Sequence, residues 1–311
     1  MLNELVLTII TPVYNGEKYI SETIESIISA KIEITYEYLV VNDGSTDSTS
    51  LILDRYKDKV EILTQQNLGE SAAVNTGLKH SRGDFVLVVN ADDPFLTGDL
   101  INKGIKILFA DPSIVAIYPD WKIISDDKKT KKITILPEYS DEIMIGRCRC
   151  LPGPGTLFRK DTALKIGGRS TKWKFVSDYD FWLRMSRQGI IVRLPGVLAQ
   201  WRESLSSTSF SQRGKSMATE RITVIEKFIL ENKISVPLQR KALGNSYYLA
   251  ARLAFFDSTI AHRKLLFLAF KNRRGWPEEA KLHIVMYLLL LPLSSYIVNK
   301  FPKLVQRIVG G

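Results

Sequence analysis

The chain has 311 residues, of which 45% are hydrophobic and 24% charged, with only two cysteines. This suffices for one large domain, or one domain with an appendage, and excludes a disulfide-stapled scaffold. The formal charge of +10 is uneven: from Arg213 onward the chain holds 17 of its 43 Lys and Arg but only 6 of its 33 Asp and Glu. Those basic residues sit mainly among aliphatic ones, and nucleic acid is not the expected partner.

In chain order, Leu5 to Thr11 is an apolar, β-branched run and reads as a strand. Met1 to Glu4 carries no basic leader, which predicts a cytoplasmic site-bearing part. Glu17 to Ala30 places Tyr19, Ile20, Ile24, Ile27 and Ile28 at helical spacing. A strand over Tyr36 to Val41, a helix over Ser45 to Tyr56 and a short strand over Val60 to Leu63 follow. Gly69 to His80 reads as a helix, and Asp84 to Val89 as a strand buried on both faces. This alternation predicts an α/β architecture, a parallel sheet covered by helices.

Beyond Pro94, Leu100 to Phe109 reads as a helix and Val115 to Tyr118 as a strand. Trp121 to Ile135 reads as a hairpin with the charged turn SDDKKTKK, and LPGPGTLFRK, Leu151 to Lys160, as a loop entering a strand. Asp178 to Gln188 reads as a helix. Cys148 and Cys150 suit neither a disulfide nor a metal pair at their spacing and predict free thiols.

A boundary is expected near Ser206 to Gly214, dividing a domain over 1–206 from a basic helical region over 207–311. Ile284 to Val298 is apolar but 15 residues long, with Pro292 inside it. A span needs about 20 residues, so an interfacial helix on an anionic membrane face is the expectation, with Trp276, Tyr287 and Tyr296 near the headgroups. A helical hairpin packed on the first domain is the alternative.

Three predicted strands end in polar clusters, TPVYNG, NDGSTDST and NADD, which a parallel sheet brings to one rim. Asp43 can accept from a base N–H or a ribose hydroxyl; D-G-S-T is also an ordinary strand-to-helix joint. Adjacent Asp92 and Asp93 repel unless a cation lies beside them, and Mg²⁺ or Mn²⁺ suits such oxygen ligands. Helix capping is the other use of the pair. Asp178 and Asp180 open a helix, and a carboxylate there can serve as general base.

The motifs TPVYNGEKYISETIESI, VVNDGSTDST, NLGESAAVNTGLKHSRGDFVLVVNADD, GPGTLFRK and SDYDFWLRMSRQG occur in this order. Together they resemble glycosyltransferase family 2, over about Leu5 to Phe228. The resemblance implies a GT-A fold, a mostly parallel sheet with helices on both faces, here followed by a helical C-terminal region. It implies an inverting, metal-dependent hexosyltransferase of bacterial polysaccharide type, using Mn²⁺ or Mg²⁺. Its donor would be a nucleotide-sugar, often UDP-linked, and its acceptor a glycan or lipid-linked glycan.

By the same resemblance Pro12, Tyr14, Asp43 and Asp92 would hold the nucleotide. Asp92 and Asp93 would hold the metal, and Asp178 would be the general base. Pro154, Gly155 and Thr156 would line the acceptor side, while Trp201 and Arg202 would belong to a segment closing over the donor. The expected place is cytoplasmic, peripheral on the inner face of the cell membrane. Three positions depart from the family pattern. Asn90 replaces the first Asp of D-x-D, Ser177 stands where Glu often precedes the base, and Ser204 occupies the place of a frequent histidine. These departures leave a catalytically silent nucleotide-sugar-binding scaffold as the alternative.

Overall fold

The computed structural model describes residues 5–203, 214–254 and 259–272. The chain divides into two compact units, Met1–Ser140 with Cys150–Ser207, and Asp141–Arg149 with Thr208–Gly311. Sequence reading had left Asp141–Arg149 in the first domain. The apolar run Ile284 to Val298 and the aromatics around it lie outside the described residues.

The first unit opens with β1 (Leu7–Val13), α1 (Ile20–Ile28), β2 (Tyr36–Asn42), α2 (Thr49–Leu53), β3 (Glu61–Thr64), α3 (Glu70–His80) and β4 (Phe85–Val88). α4 (Asp99–Ala110), β5 (Ile114–Ile124), β6 (Thr130–Thr134), β7 (Leu157–Arg159), α5 (Lys160–Lys165), α6 (Ser177–Met185) and β8 (Ile190–Arg202) complete it. The strands lie in the order β3-β2-β1-β4-β7-β5-β6, and β8 pairs with β5. The β1–β2, β1–β4, β2–β3 and β5–β8 pairs are parallel. β7 runs antiparallel to β4 and β5, and β6 antiparallel to β5, so the sheet is mixed rather than purely parallel.

Every residue of β1 is buried, as expected for a central strand covered on both faces. α1 turns Ile20, Thr23, Ile24 and Ile27 inward. The three isoleucines join Leu7, Ile9, Val40, Phe85, Leu87, Leu100 and Leu157 in one core. Because β1, β2 and β4 are parallel, their C-terminal ends share one edge, and the Asp43 N–H donates to the Val13 carbonyl at 2.8 Å. The hairpin expected over Trp121 to Ile135 forms as β5 and β6, with Trp121 opposite Thr134.

In the second unit a π-helical turn, Glu142–Gly146, precedes α7 (Gly214–Glu231), α8 (Val236–Ala254) and α9 (Thr259–Lys271). Asn245 donates to the Gly146 carbonyl at 2.6 Å and Arg221 to the Cys148 carbonyl at 2.8 Å. Lys241 pairs with Glu142. Both cysteines are free, Cys148 being buried. Among the described residues no helix is long and apolar enough to cross a membrane.

Candidate active site

A cleft of about 400 Å³ opens at the C-terminal ends of β1, β2 and β4. Pro12, Val13, Tyr14, Asn15, Gly16 and Tyr19 line one side; Asp43, Glu70, Ala73, Asn90, Ala91, Asp92 and Trp201 line the rest. Of the residues expected to hold the nucleotide, Pro12, Tyr14, Asp43 and Asp92 all meet here, and Trp201 joins them.

The loop after β1 and the loop after β2 clasp each other through backbone donors. Asn15 N–H donates to Ser45 Oγ, Gly16 N–H to Thr49 Oγ1 and Glu17 N–H to Asp47 Oδ2. In return Thr46 N–H donates to Asn15 Oδ1 and Ser48 N–H to Glu17 Oε2. The NDGSTDST motif thus builds a wall as well as a helix start. Gly44 has φ +69°, and a Cβ there would lie 2.8 Å from the Asn67 nitrogen, so a side chain would push that loop away.

Asp43 is 1% exposed. Its Oδ1 accepts from Gln65 Nε2 at 2.7 Å and from the Leu68 N–H at 3.0 Å; its Oδ2 accepts from the Gly69 N–H at 2.8 Å. Asp43 therefore anchors the turn that leads into α3, and Thr76 secures Gln65 by donating to it at 2.6 Å.

The Asp92–Asp93 pair does not face the cleft together. Asp92 lines it; Asp93 is 5% exposed and points inward. Asp93 accepts from the Arg202 N–H at 2.7 Å and from Asn90 Nδ2 at 3.0 Å. Burial, together with the neighbouring Asp92 charge, pushes the Asp93 carboxyl up to about 7. Burial also raises Asp92; Glu70 adds to this, and Arg202 opposes it. Asn90 thus hydrogen-bonds a carboxylate instead of supplying one.

Arg202 was expected in a segment closing over the donor. It is 1% exposed at the end of β8. Its guanidinium donates to the Asp92 carbonyl at 2.8 Å, the Asp126 carbonyl at 2.9 Å and Glu22 Oε2 at 2.8 Å. It also lies 4.8 Å from the centre of the Tyr19 ring. Tyr19, placed at helical spacing by the sequence, lines the cleft, and its hydroxyl donates to Asp126 at 2.9 Å. Trp201 meets Trp121 edge-on, with centroids 6.4 Å apart.

Asp178 is exposed at the start of α6 and is not part of the cleft lining. Ser71 Oγ donates to Ser177 Oγ at 2.8 Å, which ties the start of α6 to the start of α3, where Glu70 lines the cleft. Asp180, also at the start of α6, is buried and pairs with Arg184 at 2.7 Å.

Pro154 and Gly155 border a separate hollow of about 30 Å³ with Asn90, Asp93 and Gln200. Thr156 is 3% exposed and turns inward, donating to the Gly153 carbonyl at 2.7 Å. Glu70, Tyr19, Glu22 and Asp126 were not singled out from sequence. Only the spacing of Tyr19 and Glu22, three residues apart on one helical face, carried a signal for them.

Among the described residues no three His, Cys, Asp or Glu side chains converge on one metal position. The cleft nevertheless suits a cation in one respect. Asp43, Glu70 and Asp92 face it, and no Lys or Arg stands among its described lining residues.

The mixed, mostly parallel sheet with its covering helices matches solved structures of the GT-A fold. The chain belongs to the family described as Glycosyl transferase family 2, whose model matches residues 8–165. It is 30% identical over 217 residues to an uncharacterized glycosyltransferase of Rickettsia prowazekii (strain Madrid E), a match covering 66% of each protein, just under two thirds of that relative's length. Among solved structures it is similar to S. aureus TarS 1–349 in complex with UDP-GlcNAc, with TM-score 0.57, 18% identity and 91% of each chain covered. It is also similar to the mannosyltransferase PcManGT from Pyrobaculum calidifontis in complex with GDP-Man and Mn²⁺. There the TM-score is 0.56 at 17% identity, covering 97% of this chain and 84% of that one.

Proposed function

We propose that the chain transfers a sugar from a UDP-linked donor to a hydroxyl of a glycan or lipid-linked glycan, with inversion at the anomeric carbon. The observation that carries this reading is the charge of the cleft, with its three carboxylates and no basic side chain among the described lining residues. A diphosphate enters such a place only with a divalent cation to offset like-charge repulsion. Asp92 is the side chain we assign to Mg²⁺ or Mn²⁺, with donor phosphates and water as further ligands, since such ions bind through one or two carboxylates. When bound, the ion would stabilise the charge that develops on the departing diphosphate.

Pro12, Tyr14 and Asp43 take the nucleoside. Asp43 keeps lone pairs beyond its three accepted bonds for a base N–H. Pro154 and Gly155 flank the acceptor side, and Trp201 covers the donor in the cleft. Asp178 accepts the proton of the attacking hydroxyl, and its exposure leaves it open to an incoming acceptor. The unit of Met1–Ser140 with Cys150–Ser207 is the catalytic domain in this reading. The basic region over 207–311 rests on an anionic membrane face, and absence of co-sedimentation with anionic liposomes at low salt would refute that part.

The test is calorimetric titration of UDP and of GDP with and without Mn²⁺, on wild type and Asp92→Ala. Mn²⁺-dependent UDP binding, weakened at least tenfold in the variant, is expected on the scale of a lost charged ligand. Asp178→Asn should keep that binding and lose transfer. Absence of UDP binding would remove the donor site. Asn90, engaged with Asp93, favours a second reading, a silent nucleotide-sugar-binding scaffold. UDP-sugar binding without turnover of any donor would select it.

A further inference from the structure

A buried cation needs a reason. Taking a guanidinium out of water costs several kcal/mol unless it is fully paired, and an apolar side chain of similar volume is often as stable. Arg202 is 1% exposed, and its partners come from three separate parts of the fold. They are Glu22 on α1, the Asp126 carbonyl in the β5–β6 turn, and the Asp92 carbonyl after β4. Its own backbone N–H holds Asp93. Both the side chain and the main chain of one residue therefore grip the Asn90–Asp93 turn. Glu22, its ionic partner, is held in turn by Lys128 at 2.7 Å.

We propose that Arg202 is a positioning residue, which keeps Asp93 turned inward and so leaves Asp92 as the one carboxylate of the pair presented to the cleft. The inference rests on the reading that Asp92 holds a cation bridging a nucleotide diphosphate. It gives Arg202 a different role from the expected closing over the donor, because its guanidinium is buried and engaged by three oxygens of the fold. The planar fork of Arg reaches three oxygens on different segments at once. A Lys ammonium keeps the charge, but as a single point it cannot span Glu22 and both carbonyls. An apolar residue keeps the backbone bond to Asp93 and loses the grip on the Asp92 carbonyl.

The experiment compares uridine with UDP, each titrated with and without Mn²⁺, in wild type, Arg202→Met, Arg202→Lys and Glu22→Gln. Thermal unfolding of each variant is followed in parallel. Uridine lacks the phosphates, so its affinity reports the nucleoside walls, and the gain of UDP with Mn²⁺ over uridine reports Asp92. In Arg202→Met that gain should fall at least tenfold while uridine binding stays within twofold. Arg202→Lys should recover part of the gain, and Glu22→Gln, which keeps an acceptor and removes only its charge, should lose about two- to fivefold, the scale of one ordinary net hydrogen bond.

A folded Arg202→Met with the wild-type gain would overturn the role of Arg202 alone. If Arg202→Met does not unfold cooperatively, Glu22→Gln decides, and an unchanged gain there overturns the proposal. Equal loss of uridine and UDP binding would reduce Arg202 to a general packing residue. A wild type whose UDP binding ignores Mn²⁺ would overturn both the cation reading and this one.

Discussion

Gly155→Ala tests how the turn before β7 is fitted to β8. Gly155 has φ +77°, and a Cβ placed there would lie 2.6 Å from Ala199 Cβ, 3.0 Å from Leu100 Cδ2 and 3.1 Å from Pro119 Cγ. Two costs add. A non-glycine residue in the left-handed region costs about 1–2 kcal/mol, and overpacking a well-filled contact costs about 1–3 kcal/mol. The sum is about 2–5 kcal/mol. At about 2–4 °C per kcal/mol for a domain of this size, the melting temperature should fall by roughly 4–20 °C. Ala199 lies two residues before Trp201, so the near-ultraviolet circular dichroism of the Trp121–Trp201 pair should change with it. Differential scanning calorimetry reads the first effect. A melting temperature within about 1 °C of wild type would refute the reasoning, because β8 would then yield without cost.

Other substitutions separate the scaffold from the cleft. Asp43→Asn sets an amide N–H against a backbone N–H donor. It should lower stability by about 1–3 kcal/mol in urea unfolding and weaken UDP binding; unchanged values for both would contradict the anchoring of the turn before α3. Asp120 is 1% exposed and accepts from Arg193, the Leu136 N–H and the Gly196 N–H. Asp120→Ala should cost about 3–5 kcal/mol in chemical denaturation, and a loss under about 1 kcal/mol would count against it.

Glu37 titrates at the opposite edge of the sheet. Burial pushes its carboxyl up, but Thr8, the Arg82 N–H and the Arg82 guanidinium outweigh this and hold it below the usual carboxylate value. Its contribution to stability is therefore present at neutral pH and is lost as pH falls through the depressed folded value. Glu37→Gln should be less stable than wild type at pH 7, with the gap closing in acid. A gap that widens in acid would reverse the assignment.

The front of the first unit was legible because its strands are continuous apolar runs and its helices keep an apolar stripe. Leu7–Val13 and Ile20–Ile28 show both patterns. β8 was not predicted. Pro195 and Gly196 interrupt its run, and at Gly196, with φ +120°, the pairing with β5 shifts register. Its burial also fails to alternate, and near its end Trp201 reaches the cleft. The gathering of strand-end motifs followed from parallel topology, and the cleft contains Pro12, Tyr14, Asp43 and Asp92. The separation of Asp92 from Asp93 was not legible, since it depends on Arg202, 109 residues away in sequence. The place of Tyr19 in the cleft wall was not legible, because an amphipathic pattern reports distance from water and does not distinguish a core from a cleft wall. Asp141–Arg149 joins the second unit through partners nearly a hundred residues further on, such as Asn245, which local patterns cannot register.

The contacts of Arg202 also set a timetable. Its bonds to Asp92 and Glu22 close sequence intervals of 110 and 180 residues, whereas β1 pairs with β2 across about thirty. Closing long intervals is slow, and a chain leaves the ribosome at about 5–20 residues per second. The sheet core can therefore form on the emerging chain many seconds before the residue that fixes the Asn90–Asp93 turn exists. During that interval the acidic turn lacks its internal cation. A polypeptide halted before Arg202 would therefore hold the core of the sheet without the residue that fixes this turn of the cleft.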